Sequence, residues 1–94
     1  MLRTDFTSTF AKDAKRCRKK HWDISQLDTA IRDVVSSDVV PLPFSYNDHS
    51  LTADWRGHRE LHIGGSRSNW ILIYFLDGDT VVFTRTGTHD EVLS

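Results

Sequence analysis

The chain has 94 residues, 38% of them hydrophobic and 27% charged, with a net charge of −1. That length supports one core, so residues 1–94 are expected to form a single domain, and the charge content is that of a globular protein rather than a disordered one. The longest apolar run, Trp70 to Leu76, is seven residues, far short of the ~20 that a membrane span needs. The first residues are polar and form no apolar h-region, so no secretory signal is expected. Cys17 is the one cysteine, which excludes an internal disulfide and a cysteine-rich zinc site. A reducing, cytoplasmic setting is expected.

Charge is unevenly placed. Residues 3–20 hold seven of the twelve basic residues and only Asp5 and Asp13 as acids, so this segment is net +5 and the remainder net −6. A basic arm on a near-neutral chain points to an anionic partner such as RNA, DNA or an acidic protein. A solvated helix face is the alternative reading.

In chain order, Leu2, Thr4 and Phe6 alternate with polar residues and predict a short first strand. Thr7 or Ser8 caps a following helix, on which Phe10, Ala14 and Cys17 form one apolar stripe. Lys12, Lys15, Arg16 and Lys19 fall largely on another side, and Cys17 reads as a small core residue. Asp23 followed by Gln26 resembles a capping box and opens a second helix with Ile24, Leu27, Ile31 and Val34 or Val35 inward. The two helices form an antiparallel hairpin turning near His21 and Trp22. Pro41 and Pro43 fall in a loop over 36–48. Residues 56–63 alternate as a strand, with Arg56, His58, Glu60 and His62 on one face. Residues 64–68 are a flexible connection. Trp70 to Leu76 is apolar on both faces, as in a central strand. Asp77-Gly78 marks a hairpin turn, Val81 to Phe83 the last strand, and Thr88 the cap of a short helix from His89 to Leu93. The pattern is α+β: a helical hairpin on one face of a small antiparallel sheet, with the other face semi-open.

Five histidines punctuate the chain. His21 falls in the helix turn and carries no chemistry. The segment His58-Arg59-Glu60-Leu61-His62 is not the zinc-protease motif, because its glutamate falls one position late and its setting is a strand. His49, His58, His62 and His89 can meet at one rim of the sheet, but no ligand spacing supports a metal. Imidazoles beside an arginine suit metal-free RNA cleavage instead. One base takes the ribose 2′-OH proton, the arginine steadies the phosphorane, and one acid protonates the leaving 5′-oxygen. Structural or surface histidines are the competing reading.

The ordered set Tyr46-Asn47-Asp48-His49-Ser50-Leu51, Arg59-Glu60-Leu61-His62-Ile63, Trp70-Ile71-Leu72-Ile73-Tyr74 and Arg85-Thr86-Gly87-Thr88-His89 resembles the YafQ branch of the RelE/ParE toxins. Phe10-Ala11-Lys12-Asp13-Ala14-Lys15 and Pro41-Leu42-Pro43 resemble that family's first helix and its loop between helices and sheet. The resemblance implies a RelE-like fold and the toxin of a type II toxin–antitoxin system. It implies an mRNA interferase that enters the ribosomal A site, cuts the message without metal or cofactor, and is held by a cognate antitoxin. Operator DNA would be met only through the antitoxin complex. It carries catalytic roles to His49, His62 and His89, with base and acid not assigned among them, phosphate binding to Arg85, and a site-lining role to Trp70. Lys12, Lys15, Arg16 and Lys19 are the expected ribosome contacts. Asn69 stands where the family often has an acid, and Leu93 where it often has an aromatic. The alternative on the same fold is a catalytically weakened antitoxin-binding co-repressor.

Overall fold

The computed structural model describes residues 2–36, 49–65 and 67–93. Strand β1 (Arg3–Phe6) leads into helix α1 (Ser8–Lys19) and helix α2 (Ile24–Ser36). After these come β2 (His49–Ser50), a 3-10 turn (Ala53–Trp55), β3 (Arg59–His62), β4 (Trp70–Asp77), β5 (Thr80–Thr88) and α3 (His89–Leu93). The sheet order is β1-β5-β4-β3-β2. The antiparallel expectation holds for β2 to β5, but β1 runs parallel to β5. The helix pair between β1 and the rest of the sheet supplies the crossover that a parallel edge pair requires. The predicted loop over 36–48 overlaps α2 at Ser36, and 37–48, with Pro41 and Pro43, lie outside the described residues. The strand expected over 56–63 is shorter, because the 3-10 turn occupies the chain just ahead of it.

Local chemistry sets the helix ends. Thr7 Oγ1 accepts from the Phe10 N–H (3.0 Å) and donates to the Thr84 carbonyl (2.8 Å), so one hydroxyl caps α1 and ties it to β5. At the other end His21 takes φ 64°, its N–H bonds Arg18 O (3.0 Å) and the Trp22 N–H bonds Cys17 O (3.2 Å). This pair of bonds is a Schellman stop, which fixes where Trp22 leaves the helix. Phe10 and Cys17 of α1 and Leu27, Ala30 and Val34 of α2 pack on Leu61, Leu72, Tyr74, Val81 and Phe83 of the sheet. Burial pushes the Cys17 thiol above its ordinary range, as for a core cysteine. The opposite face carries a smaller cluster of Ile71, Ile73 and Val92, with Leu51, Trp55 and Leu93 against it.

A β-bulge lies between Ile73 and Tyr74 of β4, which face Arg85 and Phe83 of β5. Thr84 is the extra residue. It reverses the alternation, so Val81, Phe83 and Thr86 share the helix-covered face while Arg85 pairs with Ile73 on the other.

Candidate active site

Register places the chemistry on the face away from α1 and α2. His49 pairs with Glu60, Glu60 with Ile73, and Ile73 with Arg85, which makes one row across four strands. His62, Ile71 and Gly87 form the next row. Gly87 has φ 151°, and a Cβ there would meet Arg16 Nη2 at 2.7 Å, Glu91 Oε1 at 3.0 Å and Val92 Cγ2 at 3.2 Å. Only glycine lets α3 fold back and bring His89 over these rows.

Glu60 is the hub. Its side chain is 3% exposed. One carboxylate oxygen lies 2.8 Å from His49 Nε2, and the other is in ion-pair contact with His89 Nε2. The His62 ring lies 6.1 Å from that of His49 and 5.6 Å from that of His89, centroid to centroid. His62 Nδ1 faces the Ser68 carbonyl at 2.8 Å, which makes Nδ1 the donor and leaves Nε2 as the acceptor of the neutral ring. His89 Nδ1 lies 3.3 Å from Asn69 Oδ1. The three predicted histidines therefore converge. His49 and His89 are about two-fifths exposed, whereas His62 is buried beneath them. A buried carboxylate between two imidazoles can balance one imidazolium while the other stays neutral, which is what an acid–base pair needs.

Sequence reasoning missed Glu60. The signal was present: the period of two puts it beside His62 on one face, and a glutamate in a strand this buried requires partners. His58 shares the face but lies edge-on to Trp55 (5.2 Å) and Phe75 (4.9 Å), away from the other histidines.

Arg85 reaches α1. Its Nε and Nη2 bond the two oxygens of Asp13 at 2.7 and 3.2 Å, and this bonding holds the guanidinium even more firmly protonated. Asp13, 2% exposed, also takes Arg16 Nη1 (2.9 Å) and the Thr86 N–H (3.2 Å). Arg85 is thus in the row of the histidines with its guanidinium anchored at the sheet edge. Trp70 is not brought to the histidines. It packs in the helix-side core, its indole N–H donating to Thr86 Oγ1 (2.9 Å). Leu93 packs beside Ile71 and Ile73 on the site face. Lys12, Lys15 and Lys19 are exposed on α1, but Arg16 is withdrawn from them, bound to Asp13, to Glu91 (3.1 Å) and to the Thr86 carbonyl (3.2 Å).

Helix α3 is fixed by a capping box. The Thr88 N–H bonds Glu91 Oε1 (3.0 Å) and the Glu91 N–H bonds Thr88 Oγ1 (3.2 Å). Glu91 Oε2 also meets Lys20 Nζ at 2.6 Å. The Lys20 bond first, then the Thr88 N–H, lowers the Glu91 carboxyl from its ordinary 4.5 to about 2. A depressed folded-state value means stability that is present above pH ~4.5 and lost as pH falls toward about 2. Glu91→Gln should therefore be less stable than wild type at pH 6, with the gap closing between pH 4.5 and 2. Urea unfolding across that range checks this.

His49, Glu60 and His62 each offer one ligand atom, all within 4.8 Å of one another. Two imidazoles and a carboxylate fit a transition-metal ion.

A helix pair over one face of a mostly antiparallel sheet, with an imidazole–carboxylate cluster on the other, defines a RelE-like α+β protein with a candidate acid–base site among the described residues. Residues 2–94 match the family described as "Bacterial toxin of type II toxin-antitoxin system, YafQ". The mRNA interferase toxin YafQ of Escherichia coli BL21-DE3 is 36% identical over 85 residues, covering 90% of this chain and 88% of that one. The crystal structure of YafQ from E. coli BL21(DE3) superposes with a TM-score of 0.88 at 32% identity over the whole of both chains. YafQ in the E. coli DinJ–YafQ toxin–antitoxin complex gives 0.85 at 33% identity, again over both chains. A metal-bound toxin from Helicobacter pylori gives 0.84 at 26% identity, covering 99% of this chain and 100% of that one. The chain belongs to the YafQ toxin family.

Proposed function

We propose that this single-domain chain is an mRNA interferase, a cytoplasmic endoribonuclease that cuts messages in the ribosomal A site and is held inactive by a cognate antitoxin, with operator DNA met only through that complex. The observation that carries the reading is Glu60, buried and bridging His49 and His89 on the open sheet face. The E. coli relatives named as mRNA interferases and solved with the antitoxin DinJ support it. Among the described residues no helix is long and apolar enough to cross a membrane.

In the mechanism, one exposed imidazole of the His49–His89 pair takes the proton of the ribose 2′-OH. The 2′-oxygen attacks phosphorus, the P–O5′ bond breaks, and the second imidazole gives its proton to the 5′-oxygen. The products are a 2′,3′-cyclic phosphate and a 5′-hydroxyl. Both histidines contact the same carboxylate, so the acid and base work belongs to the coupled pair rather than to either ring alone. His62, fixed by the Ser68 carbonyl, supports the pair from below. Arg85 is the residue to meet phosphate charge. A guanidinium has five N–H groups, and Asp13 takes two of them, the one on Nε and one on Nη2. Asn69 keeps a hydrogen-bonding oxygen beside His89 although it cannot carry charge.

Inducible expression without an antitoxin, followed by mapping of message 5′ ends, should show in-frame cuts in translated messages. With purified components, cutting should survive a chelator and vanish when the scissile nucleotide carries deoxyribose. Cutting of the deoxyribose message would remove the 2′-OH from the mechanism. Zinc or copper should inhibit, because an ion held by His49, Glu60 and His62 would take His49 and its carboxylate partner out of proton transfer.

Lys12, Lys15 and Lys19 are proposed to meet ribosomal RNA. Each phosphate contact makes affinity fall with salt. Replacing all three by Gln should weaken ribosome binding and reduce the slope of log K against log salt by about 2–3, with the positions of the remaining cuts unchanged. An unchanged slope would assign the cluster to plain solvation.

A further inference from the structure

Beside the histidine cluster, at the end of the sheet where β4 begins and β5 ends, lies a cavity of about 370 Å³. It is lined by Trp22, Asp23, Gln26, Ser68, Asn69 and Trp70, with Thr88. Of its walls, the proposed mechanism uses only Asn69 and the Ser68 carbonyl. The size is that of a small-molecule pocket.

Three features describe its occupant. The first is an aromatic wall. Trp22 and Trp70 pack with ring centroids 4.9 Å apart and planes tilted by 54°, and Trp22 is only half-buried. The Schellman stop of α1 fixes Trp22 there, so the platform is built by the backbone rather than by chance exposure. The second is charge at the rim. Lys20 Nζ stands 4.8 Å from the centre of the Trp22 ring and is otherwise held by Glu91. The third is a set of hydrogen-bonding side chains. Asp23 is a pure acceptor, kept ionised below its ordinary carboxyl range by Ser25, and Gln26 and Asn69 add amide oxygens.

Asn69 belongs to both places. It lines the cavity and its Oδ1 faces His89. Thr88, which lines the cavity, is followed directly by His89. A strand of RNA with its scissile phosphate at the histidines would pass over Asn69 and bring an adjacent base to the cavity mouth.

We propose that this cavity is a nucleobase subsite, in which a base next to the cut stacks on Trp22 and presents an exocyclic amino group to Asp23, Gln26 and Asn69. Single-stranded RNA is recognised in this way, by stacking on aromatic rings and hydrogen bonding to base edges. Amino-bearing adenine, cytosine and guanine satisfy Asp23, whereas uracil offers it carbonyls; the Gln26 and Asn69 amides both accept and donate, so the carboxylate sets the discrimination. The subsite would give the enzyme a base preference that the histidines cannot supply. The inference deepens the proposed function and rests on it.

The test has two arms. In the first, the purified chain is titrated with AMP, CMP, GMP and UMP while tryptophan fluorescence is followed. UMP should bind roughly fivefold or more weakly than the best of the others. Trp22→Phe should keep binding, and Trp22→Ala and Gln26→Ala should weaken it. Gln26 lies on the exposed side of α2, so its variant remains informative if Trp22→Ala does not fold. In the second arm, 5′ ends are mapped for wild type, Trp22→Phe and Gln26→Ala. Gln26→Ala should redistribute the cuts among sequence contexts, and Trp22→Phe should not. A wild type that cuts with no base preference, or a Gln26→Ala map identical to wild type, overturns the subsite and leaves the nuclease reading intact. Loss of antitoxin capture with an unchanged map overturns it in favour of an antitoxin groove. A wild type that does not cut at all overturns the nuclease reading. The mononucleotide series then decides the cavity alone: selective binding supports the subsite, and equal or absent binding overturns it.

Discussion

Glu60→Gln should lower message cleavage by about 10²–10⁴-fold, the range that positioned acid–base catalysis contributes. The amide keeps the shape of the carboxylate but cannot balance an imidazolium, and it presents one oxygen where His49 and His89 now share two. His89→Ala should produce a loss of similar size. The double variant should be little worse than either single one, because groups acting as a unit are not additive. Antitoxin binding and the unfolding curve should stay near wild type for Glu60→Gln, since the change removes a buried charge without opening a cavity. Cleavage rates on ribosome-bound message, set beside an antitoxin binding curve, check both halves. Full activity in folded Glu60→Gln would remove the carboxylate from the mechanism.

The second large effect is on stability. Asp13→Ala should cost about 3–5 kcal/mol, the scale for breaking a buried ion pair from one side. Asp13 takes bonds from Arg16, from two nitrogens of Arg85 and from the Thr86 N–H. Its loss strands the Thr86 N–H in a dry interior and leaves the Arg85 guanidinium without its counter-charge. Domains of this size are stable by roughly 5–15 kcal/mol, so the variant is expected near the edge of folding. At about 4–8 °C per kcal/mol, the melting temperature should fall by roughly 15–30 °C, which calorimetry or thermal circular dichroism reads directly. A fall of a few degrees would mean that solvent reaches the pair and that Arg85 is held loosely.

The elements most legible in the sequence were those with a strong local cause. The stripes Phe10–Cys17 and Leu27–Val34, the Thr7 and Thr88 caps, the double-sided Trp70–Leu76 run and the Asp77-Gly78 turn each fix a short stretch of backbone by themselves. The family motifs marked His49, His62 and His89, and these do converge. The parallel pairing of β1 was not legible, because its residues pair with Thr80 to Phe83 across more than seventy positions of chain. The motif marked Trp70 but could not show where it stands: the pleat directs it to the helix side, Thr86 holds it there, and it lines the cavity beside the histidines rather than touching them.

Composition, periodicity and capping chemistry thus determined the α+β class, the helix pair, the central hairpin and the residue types available for acid–base work. Each of these depends on neighbours within a few positions. Only the tertiary structure decided which of those residues form a site. Strict alternation would have put Arg85 in the core with Val81 and Phe83. The bulge at Thr84 turns it onto the histidine face and gives the buried place to Thr86. Glu60 likewise became the hub only through pairing. Register set His49 across from it on β2, and Gly87 let α3 bring His89 to its other oxygen. A carboxylate's role depends on the charges folded around it, and in this chain they come from segments eleven and twenty-nine residues away in sequence.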